Sequence, residues 1–276
     1  MAIILAIESS CDDTGASIIN DGVVLSNVIA TQLDHSKYGG VIPELASRAH
    51  MDAILPVVEA AIDKAGISMQ QIEAVAFTQA PGLIGSLMVG ACFAKSFAQA
   101  RSIPLIAVHH MQAHVMAHFI EDPKPSFPFL CLTVSGGHTQ LVLCDSPLEM
   151  LVIGETIDDA AGEAFDKVAR FLGLGHPGGP AIDREAKLGN AQAIEFPRAM
   201  LHDGFDVSFS GLKTAVVNYV RKYPAISTQD VAASFQTAVV DVLVAKSVKA
   251  AKHIGAKTIA LGGGVAANSL LRQQMT

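Results

Sequence analysis

The chain has 276 residues, half of them hydrophobic, and a formal net charge of −7 at pH 7. The length allows two domains of ordinary size, and no apolar run approaches the roughly 18 residues that a membrane span requires. The first 125 residues carry twice as many Asp and Glu as Lys and Arg, so this half is a poor surface for a phosphate backbone. Four irregularly spaced cysteines and the lack of a signal-peptide pattern predict a cytoplasmic protein with reduced thiols.

The first half predicts strands that alternate with helices. The strands AIILAIESS, ASIIN and VVLSNVIA are separated by a CDDTG turn and a DG hairpin. PELASRAHMDAILPVVEAAIDKAG is predicted to be a helix that Gly66 ends. The strand AVAFTQA, the helix LMVGACFAKSFAQA, the strand PLIAVHH and a histidine-bearing helix follow. This order predicts an α/β domain over residues 1–122, and the proline-rich EDPKPSFP predicts a linker after it.

The opening pattern recurs after the linker. FLCLTVS and QLVLCD are predicted strands joined by a GGHT turn, and helices are expected next. ETIDDAAGEAFDKVARFLGLGHPGGP predicts a helix that ends in a glycine-rich loop, and a long helix is expected from about Gln229 to His253. KTIALGGGVAAN then predicts a strand, a triple-glycine turn and a helix start. The recurrence predicts a duplicated α/β fold, with a second domain over 126–276 and a ligand cleft between the halves.

His110 and His114 are the first candidate site. If their segment is helical, residues four apart project from one face and can hold one metal ion, as two histidines do in the HExxH helix of metalloproteases. The segment lacks the glutamate of that motif, which favours metal binding without peptide hydrolysis. Packing or surface histidines are the alternative that this spacing alone leaves open.

Several glycine-bearing turns form the second candidate site. They lie at residues 9–15, 135–138, 178–179 and 262–264, and none of them matches a P-loop or a Rossmann fingerprint. Their expected position at strand ends favours a nucleotide or adenylate held by several separate turns. Ordinary turn formation is the alternative explanation for each glycine taken alone.

Acidic residues supply further candidates. Asp12 and Asp13 could position a cation or accept a proton, although turn formation would explain one of them. One helix is expected to carry four carboxylates close together: Asp158, Asp159, Glu163 and Asp166. Either at least one of them faces the ligand site, or all of them form an exposed acidic face. Cys11 is a poor nucleophile candidate because neighbouring carboxylates disfavour its thiolate.

The ordered motifs together resemble one family. IESSCDDTG, YGGVIPELASRAH, QAPGLIGSLMVG, VHHMQAH, VSGGHTQL, GETIDDAAGEAFDKVAR, PGGP and LGGGVAAN closely resemble those of the TsaD family. The resemblance implies the duplicated two-domain fold of actin, Hsp70 and sugar kinases. It also implies transfer of a threonylcarbamoyl group from threonylcarbamoyl-adenylate to the adenine beside the anticodon of tRNA. TsaB and TsaE are the implied partner proteins.

The resemblance also implies residue roles. His110 and His114 would bind a divalent metal, usually Fe²⁺, with Zn²⁺ as the alternative. Asp12 and Asp13 match a catalytic acidic pair, although many bacterial members have Asp-Glu there. The implied substrate contacts are Thr133, Val134, Ser135, Gly136, Gly137, Asp166, Gly179, Asp183 and Asn268.

One departure from the family pattern concerns the metal site. Family members continue beyond the GGGVAAN segment to a TDN motif whose aspartate is a metal ligand, and no TDN occurs in this sequence. We therefore expect the chain to be C-terminally truncated. A non-catalytic, nucleotide-binding scaffold subunit of the same complex is the alternative to a metal-dependent acyltransferase.

Overall fold

The computed structural model of the chain describes residues 2–32 and 40–276. The chain divides into two compact units, an N-terminal unit over Met1–Asp122 and a C-terminal unit over Pro123–Thr276. Tyr38 and Gly39, which begin the YGGVIPELASRAH motif, lie outside the described residues. Each unit contains a mixed sheet with helices, so the predicted α/β class is confirmed.

The N-terminal unit is built on a five-stranded sheet in the order β3-β2-β1-β4-β5. The strands β1, β2 and β3 form an antiparallel meander, and β4 and β5 extend it in parallel with β1. The strands are β1 (Ile3–Glu8), β2 (Asp13–Asn20), β3 (Val23–Thr31), β4 (Ala74–Ala80) and β5 (Leu105–His109). The helices are α1 (Pro43–Ala65), α2 (Ile84–Arg101) and α3 (His110–Met116).

The C-terminal unit is built on a four-stranded sheet in the order β8-β7-β6-β9. Here too, three strands form an antiparallel meander and a later strand, β9, pairs in parallel with the first. The strands are β6 (Phe129–Val134), β7 (Thr139–Cys144), β8 (Met150–Glu155) and β9 (Ile259–Gly262). The helices are α4 (Ala161–Phe171), α5 (Gly178–Ala186), α6 (Ser210–Lys222), α7 (Thr228–Ile254) and α8 (Ser269–Met275).

The two sheets therefore share one topology. The order β3-β2-β1-β4 in the first unit corresponds to β8-β7-β6-β9 in the second. A meander whose first strand also pairs in parallel with a later strand needs a long crossover, and helices supply it in both units. This correspondence confirms the duplication that the recurring strand–turn–strand pattern predicted.

Helix ends follow ordinary capping rules. The helix α1 begins with Pro43 at its first position and ends at Gly66, whose φ of 67° is left-handed. The helix α7 is capped by Ser227, whose side chain accepts a hydrogen bond from the backbone N–H of Asp230. By length and composition α7 could cross a membrane, but 72% of its apolar window is buried inside the protein. It is thus the core helix of the C-terminal unit.

Two predictions for the C-terminal unit were wrong. The segment Met150–Glu155 is the edge strand β8, where only helices were expected after the second strand. A short apolar run such as MLVIG fits either element, and pairing with β7 decides it. The helix α4 does end in a glycine-rich loop, in which Gly173 and Gly175 have positive φ, but Gly178 and Gly179 lie outside that loop and form the first turn of α5.

Candidate functional site

The two histidines of VHHMQAH meet at the junction of β5 and α3. The strand ends at His109 and the helix begins at His110, so His114 lies one turn further along the same helix. The Nε2 atoms of His110 and His114 are 3.1 Å apart, and their rings are nearly perpendicular, at 83°. Two imidazole nitrogens bound to one tetrahedral metal at about 2.0–2.1 Å lie roughly 3.3 Å apart. The observed separation is close to this value, and it is also the length of a hydrogen bond between the two rings.

Glu8 lies directly behind His110 and was missed in the sequence. Its Oε2 atom is 3.2 Å from His110 Nδ1 and accepts a hydrogen bond from Thr78 Oγ1 at 2.6 Å. Burial alone would raise the pKa of Glu8, but hydrogen bonds from His110, Ser10 and Thr78 lower it to about 2. The sequence did contain a signal for Glu8: it is a charged residue at the carboxyl end of β1, and ligands of α/β sheets bind at that edge.

His110, His114 and Glu8 could supply part of a metal site. Within residues 2–32 and 40–276, no three His, Cys, Asp or Glu side chains converge on one point. The histidine pair would hold the ion through two nitrogens, and other ligands would complete its shell. An imidazole backed by a carboxylate is the usual arrangement around a protein-bound metal, so the residues present fit this role.

The turn that carries Asp12 accepts hydrogen bonds from the QAPGLIGS segment. The backbone N–H of Leu83 donates to the Ser10 carbonyl at 2.7 Å, and Ser86 Oγ donates to the Cys11 carbonyl at 3.1 Å. A Cβ atom at Gly82 would lie only 2.5 Å from the Ser10 carbonyl oxygen, so glycine allows this close approach. These contacts from PGLIGS thus position the backbone of the turn, at Ser10 and Cys11, and do not involve the carboxylates of Asp12 and Asp13.

The catalytic candidates of this turn lie in different settings. Asp13 is the exposed first residue of β2, and Asp12 is partly buried just before it. Cys11 is exposed to solvent, yet partial desolvation of its thiol and the Asp12 carboxylate raise the pKa of Cys11 to about 12. The thiol is therefore neutral at physiological pH, which agrees with the prediction that Cys11 is no nucleophile.

The C-terminal unit contains a cavity of about 520 Å³. A volume of this size lies in the range of small-molecule sites, which is about 300–1,000 Å³. Glycines from three separate turns border it, and a Cβ atom at any of the three would meet nothing within 4 Å: Gly136, Gly179 and Gly264. Protein packing does not require glycine at these points, so the open space is available to a ligand.

Other glycines bring these turns together. A Cβ atom at Gly162 would lie 2.5 Å from the Ser135 carbonyl oxygen, and one at Gly178 would lie 2.6 Å from Asp166 Cα. Gly263 has a φ of 86°, and a Cβ atom there would lie 2.4 Å from the Val134 carbonyl oxygen. The glycine-rich motifs thus contain glycines that allow close backbone packing and glycines that border the cavity, and Gly162 does both.

Of the predicted substrate contacts, several border the cavity. These are Gly136, Asp166, Gly179, Asp183 and Asn268. The two carboxylates also hold the cavity walls in place. Asp166 Oδ1 accepts from the Gly178 backbone N–H at 2.7 Å, and Asp183 Oδ1 accepts from Ser269 Oγ at 2.7 Å.

The other four predicted contacts do not border the cavity, and the side chain of Asn268, which does, is already hydrogen-bonded. The side chains of Thr133 and Val134 are fully buried in β6, and neither residue borders the cavity. Ser135 and Gly137 belong to the adjoining turn but are not part of the cavity wall. The Asn268 amide caps α8 through Leu271 N–H at 3.0 Å and donates to Gln236 at 2.8 Å. The side chain of Asn268 therefore shapes the wall.

Relatives of the chain identify its family. A family model described as TsaD, tRNA N6-adenosine threonylcarbamoyltransferase, matches residues 23–276. The chain belongs to the TsaD family. A relative of that name from Riemerella anatipestifer is 52% identical over 99% of this chain and 83% of its own length. Another from Dehalococcoides mccartyi is 54% identical over 99% of this chain and 84% of its own length.

Solved structures similar to this TsaD family member support the fold alone. HypF from T. kodakarensis has a TM-score of 0.66 at 14% identity, covering 99% of this chain and 43% of that one. Component A of (R)-2-hydroxyglutaryl-CoA dehydratase from Acidaminococcus fermentans has a TM-score of 0.56 at 14% identity. That likeness covers 100% of this chain and 88% of the other, so the duplicated two-domain fold extends over the whole chain.

The acidic cluster of the TsaD motif GETIDDAAGEAFDKVAR differs from the prediction. Asp158 and Asp159 precede α4, which begins at Ala161, so they do not form a helical face with Glu163. Lys167 lies between the supposed like charges, 2.8 Å from Asp159 and 2.7 Å from Glu163. Asp158 instead accepts hydrogen bonds at the start of α6. Asp158, Asp159 and Glu163 thus form a structural network that joins α4 to α6, whereas Asp166 borders the cavity, as expected of at least one of the four.

Proposed function

We propose that this chain transfers a threonylcarbamoyl group from threonylcarbamoyl-adenylate to the adenine adjacent to the anticodon of tRNA, releasing AMP. Membership of the TsaD family supports the reaction. The observation that carries the proposal is the cavity of about 520 Å³ in the C-terminal unit, bordered by glycines that no packing contact requires. We place the adenylate in this cavity.

The cavity lining suits a nucleotide. Val265, Ala267 and Pro180 provide apolar surface for a purine face, and Asp166 and Asp183 provide acceptors for hydroxyl groups. Backbone N–H groups at the start of α5, near Gly179, suit the phosphate because the N-terminus of a helix favours an anion. Ser135 and Gly137 adjoin this wall through the turn after β6.

The reaction forms one bond and breaks one. The exocyclic amine nitrogen of adenine attacks the carbamoyl carbonyl carbon, and the bond from that carbon to the phosphate oxygen breaks. AMP leaves with the bonding electron pair, and the amine loses one proton. We assign Asp12 or Asp13, the acidic pair that the family resemblance implies, as the base that takes this proton, since a carboxylate can act as a general base.

His110 and His114 would hold one divalent metal ion, which we propose to be Fe²⁺, with Zn²⁺ as the alternative. When bound, such an ion offsets negative charge and orients oxygen ligands. TsaB and TsaE are the proposed partner proteins, and the cytoplasm is the proposed location.

Filling the cavity tests the adenylate site. Gly179 and Gly211 are each the second residue of a helix, and a Cβ atom at either meets nothing within 4 Å. Only Gly179 borders the cavity. We expect Gly179→Val to lower tRNA-dependent AMP release by about tenfold or more, because misplaced substrate reacts slowly. The matched control Gly211→Val should retain the wild-type rate. The assay supplies threonylcarbamoyl-adenylate, tRNA, TsaB and TsaE, and equal rates in both variants would refute this placement.

Metal content tests the histidine pair. The purified chain is expected to contain stoichiometric iron or zinc, and a His110→Ala/His114→Ala double variant should lose it together with transfer. His109→Ala, which changes a neighbouring exposed histidine, is the control. Full transfer by the double variant would contradict the metal role. A wild-type chain that binds adenylate but shows neither metal nor transfer would instead be the scaffold subunit.

A further inference from the structure

The Glu8 carboxylate is held by three neighbours at the end of β1. Its Oε2 atom lies 3.2 Å from His110 Nδ1 and accepts from Thr78 Oγ1 at 2.6 Å. Its Oε1 atom accepts a hydrogen bond from the Ser10 backbone N–H. These contacts join β1, β4 and the start of α3, and they leave the carboxylate little freedom to turn away from the imidazole.

The contact with Glu8 decides which nitrogen of His110 carries the hydrogen. A carboxylate accepts hydrogen bonds, so the nitrogen that faces it, Nδ1, must be the donor. In a neutral imidazole the other nitrogen, Nε2, then keeps its lone pair. That nitrogen lies 3.1 Å from His114 Nε2, on the side where the two rings converge.

Ser10 is the competing partner for the same nitrogen. Its Oγ atom is also 3.2 Å from His110 Nδ1. A hydroxyl group can donate or accept, so Ser10 is compatible with either tautomer of the ring. Glu8 is compatible with one tautomer only. Replacing Glu8 and replacing Ser10 should therefore affect the His110 tautomer differently.

We propose that Glu8 is a positioning residue that locks His110 in the Nδ1–H tautomer and aims its Nε2 lone pair at a divalent metal ion. Thr78 assists by fixing the carboxylate. The metal part of this inference rests on the proposed function, whereas the tautomer of the metal-free chain does not. Loss of such a carboxylate behind a ligating histidine typically lowers metal affinity about 10–100-fold.

The test compares Glu8→Gln with Ser10→Ala in the purified chain. Long-range ¹H–¹⁵N NMR of the metal-free protein reports the His110 tautomer, and competition with a chromophoric chelator gives the Zn²⁺ and Co²⁺ dissociation constants. We expect Glu8→Gln to lose the pure Nδ1–H tautomer and to bind metal about 10–100-fold more weakly. Ser10→Ala removes the hydroxyl group but keeps the backbone N–H that donates to Glu8, so its shifts in tautomer and affinity should be much smaller than those of Glu8→Gln. His109→Ala is the control for a histidine outside the pair.

Each outcome decides the inference. An unchanged tautomer and unchanged affinity in Glu8→Gln would overturn it, and so would equal effects in Ser10→Ala. A changed tautomer in a chain that binds no metal even as wild type would support the role of Glu8 and refute the metal site instead. If Glu8→Gln fails to fold, Thr78→Val leaves the carboxylate in place but removes its anchor. It should then shift tautomer and affinity in the same direction by a smaller amount, and no shift would overturn the inference.

Discussion

Gly178 and Gly179 are adjacent glycines for which the structure predicts opposite effects on stability. Both belong to the first turn of α5, and neither has a left-handed φ. At Gly178 a Cβ atom would lie 2.6 Å from Asp166 Cα and 2.7 Å from the Phe165 carbonyl oxygen. At Gly179 it would meet nothing within 4 Å. We therefore compare Gly178→Ala with Gly179→Ala.

The geometry sets the size of the two effects. Ordinary contact begins near 3.4 Å, so α5 must move away from α4 by about 0.8 Å (3.4 minus 2.6) to admit the Gly178→Ala methyl group. Such overpacking costs about 1–3 kcal/mol. The same movement stretches the 2.7 Å hydrogen bond from Gly178 N–H to Asp166, which adds about 1 kcal/mol. Gly179→Ala should instead stabilise the protein by about 0.4–1 kcal/mol, because alanine restricts the unfolded chain.

Urea unfolding of the purified variants measures the difference. The chain has no tryptophan, and two of its three tyrosines, Tyr219 and Tyr223, lie on or directly after α6. Tyrosine fluorescence therefore follows mainly the C-terminal unit, and in a Tyr38→Phe background it follows that unit alone. Far-UV circular dichroism follows both units, which need not unfold together. A Gly178→Ala variant as stable as wild type would refute the packing argument. A Gly179→Ala variant that loses equal stability would refute the claim that the space beside it is open.

Two further predictions concern titrating groups. Burial alone would raise the pKa of Asp158, but hydrogen bonds from Ser208, Phe209 and Ser210 lower it to about 2. The ionised carboxylate therefore stabilises the fold fully above about pH 4, and this stabilisation is lost as the pH falls to 2. Asp158→Ala should cost about 1 kcal/mol at pH 7 and almost nothing at pH 2, and an equal cost at both pH values in urea unfolding would contradict this. Cys11, with its pKa raised to about 12 by partial desolvation and Asp12, should react with iodoacetamide below pH 9 far more slowly in the folded than in the urea-unfolded chain. Equal rates, measured by mass spectrometry of the Cys11 peptide, would show an ionised thiol.

Local pattern was sufficient for much of the fold. The recurring strand–turn–strand segments predicted the duplicated sheets, and the helix ending at Gly66 and the long helix α7 were found near their true bounds. Each of these features depends on residues close together in the chain. The strand β8 was not predicted because a short apolar run does not distinguish a strand from a helix. Its pairing with β7 makes this segment a strand.

Local sequence pattern located the histidine pair, since residues four apart on a helix share a face whatever surrounds them. It also determined the glycine-bearing turns and the family. Only the tertiary structure showed that Glu8 and Thr78, 70 residues apart, meet behind His110. The same holds for Asp158, which caps a helix 52 residues away at Ser210. Such contacts follow from the order of strands in the sheet and the packing of helices, and a local pattern does not encode which distant partners meet.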